Sequence, residues 1–248
     1  MPWSETIFYL LLFSAAFLYS SVGHGGASGY LAIMALYHFA PAQMKPTALC
    51  MNLFVSMIAF IQFQRAGHFK WPLFWPLAAA SIPMAFIGGS IHVNDPVYRV
   101  ILGIVLLIIV LRFILIRNVP GDIKASLPAI GWLLLLGGLI GFLSGLIGIG
   151  GGVLLSPVIL LAGWAGQKQT ASISALFIFV NSAAGLAGQL LLQQPFLNVG
   201  SNISWLIAVG VIGSLAGSYL GAKKFNIQIV KYLLSVVLVI AAYHLIWK

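Results

Sequence analysis

Acidic residues are almost absent from this chain of 248 residues, which has only three Asp and Glu residues against twelve Lys and Arg. Glu5, Asp95 and Asp122 all lie at the ends of apolar runs, so no carboxylate inside a run can bind Na⁺ or relay protons. Charged residues of both signs make up 6% of the chain, far below the roughly 25% of soluble domains. This scarcity excludes a soluble globular protein and disfavours tight coupling to a cation.

Cysteine and clustered metal ligands are equally scarce. The only cysteine, Cys50, lies in an apolar run, so it forms no internal disulfide and is expected to be a small buried hydrophobe. The five histidines are widely spaced, and no paired carboxylates accompany them, which argues against an enzyme and against a metal or cofactor site. No cationic region precedes the first apolar run, so we expect the first helix to be retained rather than cleaved.

Apolar residues, in contrast, are abundant in this chain. They make up 61% of it, the mean hydropathy is +1.08, and apolar runs follow one another from Trp3 to Trp247. A bilayer core about 30 Å thick requires about 20 apolar residues per helical span. The pattern therefore predicts an all-α polytopic membrane protein with a single transmembrane domain over residues 1–248.

Gly, Pro and charged residues divide the apolar sequence into ten segments, five in each half. The second segment of each half is short, about 12 residues or about 18 Å long, and follows a glycine-rich break. The predicted segments are 5–22, 28–39, 46–65, 72–91, 96–116, 128–147, 152–163, 169–192, 203–221 and 226–247.

The two halves of the sequence resemble each other in order and spacing. The stretch from Val22 to Ala27 aligns with that from Ile147 to Gly152, and Lys45-Pro46-Thr47-Ala48 aligns with Lys168-Gln169-Thr170-Ala171. Such a correspondence indicates an internal duplication. We place the first repeat at about 5–116 and the second at about 128–247.

The distribution of loop cations distinguishes two topologies. If all ten segments cross, each repeat has five spans and the two repeats are inverted. Nine cations then lie on the cytoplasmic side and three outside, a bias that the positive-inside rule favours. If the short segments instead re-enter without crossing, giving eight full spans, the bias disappears. The cations placed inside are Arg65, Lys70, Arg112, Arg117, Lys124, Lys168, Lys223, Lys224 and Lys231, and those outside are Lys45, Arg99 and Lys248.

The glycine-rich break before each short segment is the first candidate for a substrate site. A helix that begins inside the membrane leaves its first N–H groups without intrahelical partners, and the helix dipole makes this end attractive to anions. Close helix packing is the alternative role for such glycines. A nucleotide-binding loop is excluded, because the sequence around these glycines has neither a Walker lysine nor an acidic residue to bind a ribose. The predicted site residues here are Gly23, His24, Gly25, Gly26 and Ser28 in the first half, and Gly148, Gly150, Gly151 and Gly152 in the second.

Polar side chains near these glycines extend the predicted site. His24 is the only histidine within a glycine motif, but Ile149 takes its place in the second half. Lys45 and Lys168 precede the third segment of each half, where they either attract anions at a cavity mouth or snorkel to lipid headgroups. Polar residues in the third segments should face the bundle interior, where they bind substrate or join helices. Those assigned to the substrate site are Thr47, Asn52, Thr170 and Asn181.

The duplicated pattern resembles a known family. The glycine motifs at 23–26 and 148–152, the Lys-x-Thr-Ala elements after them, and the glycines at Gly88-Gly89-Ser90 and Gly217-Ser218 are similar to those of the TauE/SafE sulfite exporter family over residues 7–247. Departures at His24 and Ala27 suggest that the two halves contact substrate unequally.

The resemblance implies efflux of a sulfur-containing anion, such as sulfite or an organosulfonate, across the bacterial cytoplasmic membrane. A transporter of another small anion, a neutral solute or a metal ion through the same cavity is the alternative. The expected partners are the anionic substrate and membrane lipid, with no nucleic acid, because the cations are scattered along the chain; a homo-oligomer is left open.

Overall fold

Helices account for all the regular secondary structure that the computed structural model describes, which covers residues 2–115, 128–191, 203–223, 236 and 238–245. The predicted repeat ends at 116 and 246–247, and the cations Arg117, Lys124, Lys224, Lys231 and Lys248, lie outside the described residues. In chain order the helices are α1 (Pro2–Ser21), α2 (Ala27–Leu36), α3 (Pro41–Arg65), α4 (Trp71–Gly89), α5 (Asp95–Leu115), α6 (Ile130–Ile147), α7 (Gly152–Leu161), α8 (Gln167–Leu190) and α9 (Ile203–Lys223), followed by α10 (238–245).

This helix order confirms the predicted all-α membrane fold. Five of the helices are long and apolar enough to cross a membrane, while α2 and α7 have ten residues each. Large apolar side chains such as Trp132, Leu139 and Leu215 are exposed on the outside of the bundle, as expected where lipid replaces water. The spanning helices by this criterion are Pro41–Arg65, Trp71–Gly89, Ile130–Ile147, Gln167–Leu190 and Ser204–Gly221.

The start of α3 differs from the prediction. The sequence placed it at Pro46, but the helix begins at Pro41 and includes Pro46. Proline is favoured at the first helical position because its missing N–H has no partner there in any case, and Pro41 takes that role. Lys45 is consequently part of α3 rather than of the preceding loop, and Lys168 likewise lies in the first turn of α8.

A stripe of glycines in α6 packs directly on the backbone of α4. A Cβ atom added at any of these glycines would collide with a carbonyl oxygen of α4. Residue numbers increase in both helices from one contact to the next, so α4 and α6 run parallel. Small residues permit this close backbone contact in membranes. The pairs are Gly137 with Leu77, Gly141 with Ser81, and Gly145 with Ala85.

A second glycine stripe, in α9, packs on α1 in the same way. Here too the residue numbers of both helices increase from one contact to the next, so α1 and α9 run parallel. The Ser214 hydroxyl of α9 donates to the Val55 carbonyl of α3 at 2.9 Å, and Gly210 approaches Met51 of α3, so α3 shares their direction. The pairs are Gly213 with Phe13, Gly217 with Phe17, and Gly221 with Ser21.

The two long helices α3 and α8 cross in opposite directions at the centre of the protein. Residues late in α3 contact residues early in α8, and the order reverses along their length. The contacts join Phe63 with Ala171, Ala59 with Ala175, Asn52 with Ser182, and Leu49 with Gly185.

The helix directions define two opposite ends of the bundle. At one end, here called the Lys70 face, Lys70 Nζ lies 3.5 Å from the Trp164 carbonyl and joins the loops 66–70 and 162–166. Burial of His68 and the nearby Lys168 ammonium lower the pKa of the His68 imidazole in the same place. At the opposite end, the Lys45 face, α3 begins and α4 ends.

Candidate functional site

The first glycine-rich break forms a tight turn between α1 and α2. Gly23 and Gly26 have φ of 74° and 94°, in the left-handed region that favours glycine. The N–H groups of Val22, Gly23 and His24 donate to carbonyls at the end of α1. The N–H groups from Gly25 to Gly29 have no acceptor among the described residues.

The second break has the same design between α6 and α7. Gly148, Gly150 and Gly151 have φ of 88°, 78° and 77°. The Gly148 N–H donates to the Ser144 carbonyl at 2.8 Å, but those from Ile149 to Gly152 have no acceptor within the part of the chain described. Both turns are buried. Because buried backbone donors are nearly always paired in folded proteins, these two rows of N–H groups mark a place for an acceptor.

The two turns meet at the same pair of side chains, Asn52 of α3 and Ile178 of α8. A Cβ atom on Gly25 would lie 2.7 Å from Asn52 Oδ1 and 2.8 Å from Ile178 Cγ2. A Cβ on Gly150 would lie 2.8 Å from Asn52 Nδ2 and 2.7 Å from Ile178 Cγ2. The crossing of α3 and α8 therefore lies between the turns, and glycine is needed at both positions for the backbone to come so close.

Asn52 links this crossing to the second turn. Its Nδ2 donates to the Ile149 carbonyl at 3.4 Å and to Ser182 Oγ at 3.2 Å. The side chain is fully buried, and its Oδ1 has no hydrogen-bond partner.

Other buried polar groups without a partner lie against the turns. The Tyr30 hydroxyl folds over Gly26, 2.6 Å from where a Cβ would be, and Ser144 lies against Gly151. The Ser174 hydroxyl is also unpartnered, and the carbonyl of the same residue lies against Gly152. Since buried polar side chains are normally hydrogen-bonded, their collection here indicates a site for a polar ligand or water.

His24 connects the first turn to the second short helix. Its Nε2 lies 2.8 Å from Ser156 Oγ of α7, and both side chains are buried. Beside it, Ser28 Oγ donates to the Tyr19 hydroxyl at 2.8 Å. Ile149, at the corresponding position in the second half, is buried without a comparable polar role, so the two turns are chemically unequal.

Replacing Ser156 with alanine should lower the thermal stability of the protein, because it removes the hydrogen bond to His24 Nε2. We expect a loss of about 1–3 kcal/mol, the usual cost of removing one partner of a buried hydrogen bond. Ser156→Thr keeps the hydroxyl and is the matched control. Melting curves in detergent measure both variants, and equal stability of Ser156→Ala and wild type would contradict the bond.

The remaining predicted site residues have other partners. The Thr47 hydroxyl donates to the Gln43 carbonyl at 2.6 Å, and the Thr170 hydroxyl to the Ala165 carbonyl at 3.4 Å. Asn181 Nδ2 donates to the Phe177 carbonyl at 2.8 Å, and its Oδ1 is unpartnered. All three side chains are buried inside the protein, as predicted. The threonine hydroxyls thus serve their own helices and helix starts.

Lys45 and Lys168 occupy different environments despite their matching sequence positions. Lys45 is only 8% exposed; its Nζ donates to the Gly89 carbonyl at 3.3 Å, and its Cγ would lie 3.0 Å from a Cβ on Gly148. Lys168 is exposed at the Lys70 face. Lys45 therefore lies against the second turn and at the carbonyl end of α4, where a cation is favourable.

Sequence reasoning missed Tyr30, Ser156, Ile178 and Ser182 as site residues. Ser182 lies eight residues after Ser174, on the same face of α8, a spacing that could have indicated a shared polar stripe. Nothing in the sequence singles out Ile178, which is one apolar residue among many. No group of three His, Cys, Asp or Glu side chains that could hold a metal ion occurs among the described residues.

Comparison with known proteins places the chain in one family. The model of the sulfite exporter TauE/SafE family matches residues 8–245. The "Probable membrane transporter protein y4hK" of Sinorhizobium fredii is 36% identical over 246 residues, covering 96% of each chain. The "Probable membrane transporter protein YunE" of Bacillus subtilis is 28% identical over 113 residues, 44% of this chain and 38% of that protein.

No solved structure matches the chain significantly. The family match extends over nearly the whole sequence and includes both glycine turns, the α3–α8 crossing and Lys45. The relative in Sinorhizobium fredii aligns over the same length and carries the name of a membrane transporter. This chain thus belongs to the TauE/SafE sulfite exporter family and is a multi-pass bacterial membrane transporter, not an enzyme.

Proposed function

We propose that this transporter exports a small sulfur-containing anion, such as sulfite or an organosulfonate, and binds it between the two glycine turns. The observation that carries the proposal is the two rows of buried N–H groups, Gly25–Gly29 and Ile149–Gly152, that have no acceptor among the described residues. Each row lies at the N-terminus of a short helix, where the helix dipole adds to the attraction for negative charge.

We also propose that the chain consists of two inverted repeats, which bring the turns to the centre from opposite faces. Two features support this: α1, α3 and α9 run one way, and α4, α6 and α8 run the other way. The corresponding helices of the two halves, α1 with α6, α3 with α8 and α4 with α9, thus have opposite directions. Discontinuous helices at the interface of inverted repeats form the substrate site in many secondary transporters.

Export is the direction that the charges favour. Arg65, Lys70 and Lys168 are at the Lys70 face, which the positive-inside rule makes cytoplasmic. An anion leaving a cell with a negative interior gains about 2.3 kcal/mol per charge per 100 mV. Export in this direction needs no coupling ion, which suits a chain whose three carboxylates all lie at the ends of its apolar runs.

Removing the Lys45 charge should weaken anion transport. In Lys45→Gln we expect the KM for sulfite to rise about tenfold or more, since hydrogen bonds and close contacts to a buried charge contribute more than neutral ones. Lys168→Gln, at the corresponding but exposed position, is the matched control and should leave KM within about twofold because exposed charges are screened. Initial rates in proteoliposomes measure both, and equal KM changes would contradict a role for the Lys45 position.

A ligand panel tests the proposed substrate class directly. A ligand that binds only the folded state raises the melting temperature in proportion to the logarithm of its concentration over Kd. At least one of sulfite and sulfoacetate should raise the melting temperature of the purified protein, whereas Ni²⁺ should not. Stabilisation by Ni²⁺ or by a neutral solute alone would replace the proposal with one of its alternatives.

Transport itself is measured with the same protein in vesicles. Sulfite loaded inside should leave faster when the vesicle interior is made negative than when no potential is imposed. Efflux that does not respond to potential, or that requires an added cation gradient, would contradict uncoupled export.

A further inference from the structure

We infer that the transported species is a monoanion carrying its own hydrogen-bond donor, and that the side-chain carbonyl of Asn52 selects for that donor. This inference rests on the proposed function and narrows its substrate class. Hydrogen sulfite and hydroxyalkanesulfonates have this chemistry. Sulfate and unsubstituted alkanesulfonates lack the donor.

The first step is the orientation of the Asn52 amide. Its Nδ2 donates to the Ile149 carbonyl and to Ser182 Oγ. Turning the amide over would place Oδ1 against the Ile149 carbonyl, where two acceptors would repel each other. Oδ1 is therefore held on the side of Gly25, at the entrance to the first row of N–H groups.

The second step is that Oδ1 accepts and cannot donate. The other unpartnered groups at the turns, the backbone N–H groups and the hydroxyls of Tyr30, Ser144 and Ser174, can all donate to an anion. Asn52 Oδ1 is fully buried and has no partner. An anion with acceptor atoms alone would leave this oxygen unpaired and facing negative charge, whereas an O–H or N–H on the anion would satisfy it.

The third step is the charge that the site can balance. Among the Lys and Arg residues whose side chains the structure describes, Lys45 is the one that is buried. Its Nζ donates a hydrogen bond to a carbonyl oxygen rather than to a carboxylate. The His24 imidazole is also buried, but its Nε2 is paired with Ser156 Oγ of α7. A single ammonium compensates one negative charge, and a second would remain buried without compensation, which is costly.

The two groups face different turns of the same site, because Asn52 Oδ1 lies against the first turn and Lys45 against the second. Lys45 and Asn52 are seven residues apart on α3, or about 10 Å, and lie on the same face. Lys45 contacts Gly148, and Asn52 contacts Ile149 and Gly150. Lys45 thus supplies positive potential to the second turn, while Asn52 Oδ1 accepts a hydrogen bond from the bound anion.

The decisive experiment compares two sulfonates that differ in one hydroxyl group. We expect proteoliposomes containing the full chain to transport 2-hydroxyethanesulfonate with a kcat/KM about tenfold or more above that of ethanesulfonate, because the latter leaves Asn52 Oδ1 unpaired. In Asn52→Leu this preference should vanish. Ser214→Ala, which removes a buried hydroxyl of α9 bonded to the Val55 carbonyl and leaves Asn52 intact, is the control and should retain it.

A pH series tests the same inference with sulfite. At fixed total sulfite, transport should fall as the pH rises through the second ionisation of sulfurous acid, because hydrogen sulfite loses its donor and gains a charge. The charge of 2-hydroxyethanesulfonate is constant over this range. Its rate therefore corrects for any pH-dependent change in the protein itself.

The outcomes separate this inference from the proposed function. Equal transport of the two sulfonates, or a corrected sulfite rate that does not fall with pH, would overturn the donor requirement but leave a sulfur-anion transporter. A preference that persists in a folded Asn52→Leu protein would overturn the role of Asn52. If neither sulfite nor either sulfonate is transported, the proposed function itself is wrong.

Discussion

Replacing Gly25 with valine is expected to reduce sulfite efflux to the level of empty vesicles while the protein still inserts into the membrane. The added side chain would enter the space between the first turn and the α3–α8 crossing, within 3 Å of Asn52 Oδ1 and Ile178 Cγ2. It would also cover the N–H groups that begin at Gly25. Because Gly25 does not have a positive φ, the effect is one of space and access rather than of backbone strain.

Gly151→Val should have the same functional effect in the second turn. There a Cβ atom would lie 3.0 Å from Ile140 and Phe177, and the backbone has φ of +77°, so part of the effect is strain. Gly25→Val is thus the cleaner variant.

The control for both variants is Gly131→Val at the start of α6, where an added Cβ meets nothing within 4 Å. It should transport at the wild-type rate. Efflux is measured on protein whose folding is verified by gel filtration in detergent. Normal efflux in either turn variant would refute the site between the turns.

The largest effect on stability is expected for Gly145→Ala. Its new methyl group would collide with the Ala85 carbonyl and the Gly89 nitrogen of α4. These are backbone atoms, so relief requires the helices to separate. Overpacking typically costs about 1–3 kcal/mol, occasionally more, and the upper end of that range applies here. The melting temperature and the yield of folded protein should both fall.

Gly138→Ala in the same helix provides the comparison. Its Cβ would make ordinary contacts of 3.6 Å to Met84 and 3.9 Å to Ala80. Alanine is intrinsically favoured over glycine in a helix by up to about 1 kcal/mol, so this variant should be at least as stable as wild type. If both alanine variants melt at the same temperature, α4 and α6 do not pack as described.

The sequence predicted the fold class and the glycine turns because both depend on local chemistry. Apolar runs of membrane-spanning length require helices, and glycines such as Gly26 and Gly151 permit the left-handed turn before each short helix. The buried position of Asn52 could be predicted as well, since an amide inside an apolar run must face other protein groups rather than lipid.

The partners of these residues could not be predicted. Which side chain of α8 faces Gly25 depends on the register between α3 and α8, and that register results from packing over their whole length. Ile178 and Tyr30 therefore carry no local signal. Lys45 and Lys168 show the same limit: their motifs match, but only Lys45 lies beneath the carbonyl end of α4.

The glycine stripes of α6 and α9 have a mechanical consequence. Backbone lies directly on backbone along α4–α6 and α1–α9. Because no layer of side chains separates the two helices of a pair, we expect each pair to resist sliding of one helix along the other. Each pair also combines one helix from the first half of the sequence with one from the second. We therefore expect each mixed pair to move as one body during transport, with the relative movement between α3 and α8.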